Sequence, residues 1–194
     1  MANHGVYTNT VDTSVGTISE AASGIPFVIG SAPLTKAPEA TRATAGVPVL
    51  ATSYAEAEAA IGYDDDWAKY TLCEFMHYHF KLAGCQPVIF LPLVPAGEAT
   101  AVTAAQVAAA VESIDLCMAR FGIIPDLILA PGFSDQATVA AAMAAKIGAV
   151  NGLFHGKAVV DIVAANYTAA ITAKNAVTYK RRRSTNEKAR GQSH

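Results

Sequence analysis

Four groups of residues have types and spacings that bear on chemistry. Gly132, Phe133, Ser134, Asp135 and Gln136 stand where an apolar run gives way to an Ala-rich stretch, the setting of a hydrolase nucleophile elbow. That elbow needs G-x-S-x-G, because the second glycine relieves crowding behind a strained serine. Gln136 holds that place, so Ser134, or else Asp135, is expected to cap the following helix. Cys73 and His77 are four residues apart and would share one helix face, with His79 and Cys85 close by, and zinc accepts such ligands. His79 falls well off that face at 3.6 residues per turn, so three ligands do not converge on an intact helix. No metal and no cofactor is expected. Asp64, Asp65 and Asp66 are consecutive and fan outward. They are expected to open a helix at the positive end of its dipole, since acid–base work needs two carboxylates in distinct environments. The last group is the C-terminal stretch 180–194, with six Lys/Arg against one Glu. It reads as a solvated terminus; contact with the acidic body of another copy, or with phosphates, are the alternatives. No aromatic residue interleaves with it, so base stacking has no support and nucleic acid is not expected as a partner. Neither GxxxxGK[ST] nor GxGxxG occurs, which removes the phosphate-loop and dinucleotide readings.

The 194 residues suit one domain with arms. Hydrophobic residues make up 52%, but 40 residues are alanine, so the core is built from many small side chains. Charged residues are 15%, against about 25% in an average chain, and that balance excludes bulk disorder. Residues 1–179 carry eight Lys/Arg against fifteen Asp/Glu, a net −7, while the tail carries +5. Low charge and a mean hydropathy of +0.29 point to a surface partly covered by partners. No apolar run is long enough to span a membrane, and residues 1–20 hold no signal-peptide core, so a cytoplasmic start is expected. Three cysteines without a CxxC pair are expected as buried, reduced thiols.

The elements that position these residues can be read in order. Residues 1–24 alternate small, polar and β-branched types, with Val6, Thr8 and Thr10 on one parity and Val11, Thr13 and Val15 on the next. This is an extended arm with no core of its own, whose backbone needs another strand or subunit. IPFVIG (25–30) and VPVLAT (47–52) read as strands. Ser53 and Glu56 form a capping-box pattern for a helix ending at Gly62, and a second helix runs from the aspartates through Leu72, Phe75, Met76 and Phe80 to Gly84. PVIFLPLV (87–94) reads as a strand buried on both faces. Thr103 and Gln106 form another capping box before a stripe of Val107, Val111, Ile114, Met118 and Phe121. DLILA (126–130), a helix bearing Val139, Met143, Ile147 and Val150, and the strand AVVDIV (158–163) follow, the pattern of parallel βαβ crossovers. Asn166 could cap a helix over 167–179. The expected fold class is α/β: a mixed, largely parallel sheet flanked by helices. Its divisions are an extended N-terminal arm (1–24), the α/β domain (25–165), and a helix with a basic tail (166–194).

Taken in order, these segments resemble the tail sheath proteins of contractile phages and related contractile injection systems. His4–Gly5–Val6–Tyr7 looks like the start of the family's N-terminal arm. Ile25–Pro26–Phe27–Val28–Ile29–Gly30–Ser31–Ala32 looks like its first core strand. Val47–Pro48–Val49–Leu50–Ala51–Thr52–Ser53, then Glu56 to Ile61–Gly62, is similar to its next strand, helix and glycine step. Leu129–Ala130–Pro131–Gly132–Phe133–Ser134, with Ala158–Val159–Val160–Asp161, looks like its later strand–helix–strand. The resemblance spans roughly residues 4–163. It implies a non-enzymatic structural subunit that polymerises with other copies of itself around an inner tail tube protein, by strand exchange between neighbours. Its places would be the host bacterial cytoplasm during assembly and then the virion tail, without membrane insertion. The subunit-interface residues it implies lie in the arm: His4, Gly5, Val6, Tyr7, Val11 and Val15. The family's chain continues well past the Val159–Val160–Asp161 strand, whereas residues 164–194 are few and basic. A shortened sheath chain, forming a monomer or small oligomer rather than tubes, is therefore expected. Two other classes stay open on the residues alone: a binding protein using the basic tail, and an α/β enzyme with a pocket at strand ends near Ser134 or Thr100.

Overall fold

A computed structural model describes residues 24–176 apart from 86, 151, 153 and 154. The arm residues His4, Gly5, Val6, Tyr7, Val11 and Val15, and the basic stretch 180–194, lie outside the described residues. The five described strands form one mixed sheet in the order β2-β3-β1-β4-β5. The central strand β1 (Pro26–Ser31) is buried throughout, as is β3 (Val88–Leu93). β1 runs parallel to β3 on one side and to β4 (Leu127–Leu129) on the other. β5 (Lys157–Ala158) adds parallel to β4, and β2 (Val49–Ala51) adds antiparallel to β3. The fold class is thus the mixed, largely parallel α/β sheet expected.

Side chains alternate across a strand, and both faces are covered. Phe27, Ile29, Ile89, Leu91 and Ile128 enter one apolar layer with Val107, Ile114, Cys117, Val139 and Met143. Those residues come from α3 (Ala104–Ala110), the 3-10 turn Val111–Asp115, α4 (Leu116–Phe121) and α5 (Ala137–Lys146). Val28, Val88 and Phe90 face the other way, against Ala57, Ile61, Leu72 and Met76. That layer belongs to α1 (Tyr54–Ile61) and α2 (Thr71–Met76), which continues as a π-helix over His77–Leu82. Pro92 lies inside β3, an unusual place for a residue with no N–H to give. Its carbonyl accepts from the Gly46 amide (2.8 Å). β2 pairs only with residues 88–90, so no ladder bond to β2 is lost at Pro92.

Local signals hold where partners are close in sequence. The Thr103 capping box is complete. Ser53 accepts from the Glu56 amide, but the Glu56 carboxylate reaches Thr52 (2.8 Å to its N–H, 2.7 Å to its hydroxyl) rather than Ser53. Those hydrogen bonds lower the Glu56 pKa. Asn166 Oδ1 accepts from the Ala169 amide (2.9 Å) at the start of α6 (Tyr167–Ala176).

Other expectations are corrected. The aspartates open no helix: α2 begins at Thr71. Asp64 accepts from the Asp66 amide (2.9 Å) and pairs with Lys36 (2.5 Å), and Asp66 accepts from the Lys69 amide (3.3 Å). These bonds favour a turn over helix, the usual competition offered by short acidic side chains. Met118 is 48% exposed, and Cys117 takes its inward place. The 3-10 turn has three residues per turn instead of 3.6, which rotates the stripe by one position. Neither Ser134 nor Asp135 caps α5; Gln136 holds the N-cap position, with no side-chain hydrogen bond.

Candidate functional site

In a sheet of this kind a ligand crevice is expected beyond the carboxyl ends of the parallel strands. Two adjoining hollows lie there, of about 320 and 410 Å³, and both are lined by Ser31, Lys69, Ala101 and Val102. Thr100 lines one of them; Ser134 lines neither. The polar groups of the floor are engaged with each other. Ser31 Oγ donates to the Lys69 carbonyl (2.6 Å) and accepts from the Thr71 amide (3.1 Å), while Thr71 Oγ1 accepts from the Ser31 amide (3.3 Å). A Cβ at Gly30 would overlap Thr71 Oγ1, and one at Gly132 would stand 2.8 Å from Thr71 Cγ2. The glycines let Thr71 wedge between the ends of β1 and β4. Nothing in the sequence signalled this pair, because its partners are 40 residues apart.

Ser134 is 2% exposed. Its Oγ donates to Asp161 Oδ2 (2.7 Å) and accepts from the Asp161 amide (3.0 Å). Neither side chain hydrogen-bonds a histidine among the described residues, so the pair has a carboxylate and a hydroxyl without the base that links them in a hydrolytic triad. The pair ties down the chain just past β5, and the expected strand over 158–163 is corrected to a ladder of two residues, Lys157–Ala158. The Lys157 amide donates to the Asp126 carbonyl and the Val159 amide to the Ile128 carbonyl (3.2 Å). From there the apolar side chains of Val159 (50%), Ile162 (42%) and Val163 (80%) face outward, as do those of Tyr167 and Ile171 on α6. β5 is the last strand in the order, so its outer edge carries no described partner.

The histidine and cysteine positions are held by packing. Phe75 stacks on His79 (centroids 5.2 Å) and Trp67 tilts over His77 (5.4 Å). Burial lowers the His79 pKa. No set of three or more His, Cys, Asp or Glu side chains converges among the described residues. Cys73 and Cys117 are buried, and burial pushes their thiols up to about 11 and about 12. Cys85 is exposed, which corrects the expectation that all three would be buried. Elsewhere Lys146 bridges Glu112 and Asp115 at 2.6 Å each, tying α5 to the neighbouring 3-10 turn.

No helix among the described residues is long and apolar enough to cross a membrane. No protein-family model matches the chain, and no curated protein matches it.

Proposed function

We propose that the chain is a structural subunit of a contractile phage-type tail sheath. Copies would join by strand exchange around an inner tail tube protein, and contraction of the lattice would drive that tube into a target. Assembly would take place in the host bacterial cytoplasm, and the finished subunit would sit in the virion tail. The observation that carries this reading is the β5 edge, where Val159, Ile162 and Val163 are exposed beside a strand with no outer partner among the described residues. Exposed apolar residues at an unpaired sheet edge are a template for a strand from another chain. The order of segments that resembles the sheath family, and the β-branched alternation of residues 1–24, supply the matching donor.

The test is size by light scattering at rising concentration, with electron microscopy of the same samples, for the full chain and for one lacking residues 1–20. Association, or tubes, in the full chain alone is expected. A monomer in both at every concentration contradicts the proposal.

A further inference from the structure

The chain leaves β1 and β3 toward opposite faces of the sheet. After β1, Ala32 and Leu34 join the layer of Val28, Ile61 and Leu72. After β3, Val102 and Val107 join the layer of Phe27, Ile29 and Leu91. β1 and β3 are parallel neighbours, and where the chain departs from such a pair in opposite directions a crevice opens past their carboxyl ends. The larger of the two hollows lies there, with about 410 Å³ of space. Residues 31–35 line it from the β1 side and residues 93–95 and 99–102 from the β3 side, and Lys69 and Tyr70 complete it. Its volume falls within the range of about 300–1,000 Å³ typical of small-molecule sites.

The floor is satisfied through Ser31 and Thr71, but the walls are not. Lys69 is the one charged side chain among the described residues that line this hollow. Its ammonium lies 5.2 Å from the centre of the Tyr70 ring and forms no ion pair among the described residues, and Asp64 is taken by Lys36. The hydroxyls of Thr35 and Thr100 take part in no hydrogen bond among the described residues, nor do the amides of Thr100, Ala101 and Val102. Donors therefore outnumber acceptors on these walls, and the only formal charge is positive. Leu34, Leu93 and Val94 supply the apolar part of the lining. A carboxylate has two oxygens to offer such a set, whereas a phosphate monoester brings nearly two negative charges and three acceptor oxygens.

We propose that the hollow between the ends of β1 and β3 binds a small organic phosphate. The phosphoryl oxygens take the Lys69 ammonium, the Thr100 hydroxyl and the amides of Ala101 and Val102, and a short apolar body lies on Leu34, Leu93 and Val94. Lysine serves a phosphate as a point charge, with hydroxyls and main-chain amides giving direction. The site stands at β1, two strands from the β5 edge, so ligand binding and assembly stand or fall separately.

The test titrates the full chain with phenyl phosphate, and with benzoate for comparison, by calorimetry and by two-dimensional NMR. Phenyl phosphate should saturate with a Kd at or below about 1 mM and shift the amide signals of Ala101 and Val102. Lys69→Met should weaken it at least about tenfold, the loss expected of one charge-assisted hydrogen bond. Thr100→Val should weaken it about threefold, as a neutral hydrogen bond would. Lys174→Met removes the same charge from an exposed position on α6 and should leave the affinity unchanged. Benzoate should bind at least about tenfold more weakly than phenyl phosphate, having less charge and fewer acceptors. No saturable binding of phenyl phosphate, shifts confined to residues outside the hollow, or equal losses in Lys69→Met and Lys174→Met would each overturn the proposal. Benzoate binding as tightly as phenyl phosphate would overturn the choice of phosphate.

Discussion

Ser31 and Ser134 each place one hydroxyl between a backbone amide and an acceptor, at the ends of neighbouring parallel strands, yet the two regions differ. At β1 the Ser31–Thr71 exchange, with Gly30 and Gly132 making room, draws α2 onto the strand ends and fills the floor of the crevice. Beyond β4 the Ser134–Asp161 pair holds the chain in place past β5 while its apolar side chains stay outside. The same device closes one surface and presents the other. What decides is whether a helix lies over the strand end: α2 covers the first, and α6 packs only marginally on the rest. In a β-branched segment, exposure that is held in place is the surface the proposed strand exchange would use.

The largest effect should come from the closed region. Gly30→Ala puts a Cβ against Thr71 and Leu72, and such overpacking costs about 2–3 kcal/mol. In a domain of this size the melting temperature should fall by about 4–10 °C, by calorimetry. No change would mean that Thr71 relaxes and the floor is loosely packed.

A smaller loss is expected at the second serine. Ser134→Ala leaves Asp161 without its partner, at a cost of about 1–2 kcal/mol. Amide exchange at residue 161 should quicken, while Thr71, in the crevice floor, keeps its protection. Equal changes at both would erase the distinction between the regions.

Much of the closed region was legible from neighbours in sequence. β1 and β3 followed from apolar runs, and the caps at Ser53 and Thr103 from residues three apart. What was hidden depends on distant contacts. The Ser31–Thr71 pair spans 40 residues and the Ser134–Asp161 pair spans 27. AVVDIV reads as a six-residue strand, but the ladder Lys157–Ala158 takes in only its first residue, and Asp161 is held by Ser134 instead. The shift from Met118 to Cys117 arises from a 3-10 turn that periodicity at 3.6 cannot anticipate.

Reactivity of the thiols offers a milder probe. A thiol reagent near pH 8 should label one cysteine of the native chain, Cys85, and all three after denaturation, because burial keeps Cys73 and Cys117 protonated. Fast labelling of Cys117 would mean that the layer under α4 opens readily.

The smallest effect is expected from pH. Burial holds the His79 pKa below its ordinary 6.5, and its Nε2 is buried without a hydrogen bond. The unfolded chain therefore binds the proton more readily than the fold. The contribution of neutral His79 is present above about pH 6.5 and is lost as pH falls through the lowered folded value. His79→Phe should flatten that slope in denaturant titrations at pH 7 and pH 5; an unchanged slope would place the titration elsewhere.

The most direct measurement is light scattering of the full chain beside an Ile162→Lys/Val163→Lys variant, from micromolar concentration up to about 1 mM, a range that spans weak association. Both substitutions lie on exposed residues, so stability should change by no more than about 0.5 kcal/mol. Association of the unaltered chain as concentration rises, and a monomer throughout for the variant, is the expected result. Equal association of the two would contradict the assignment of the β5 edge as the surface where copies meet.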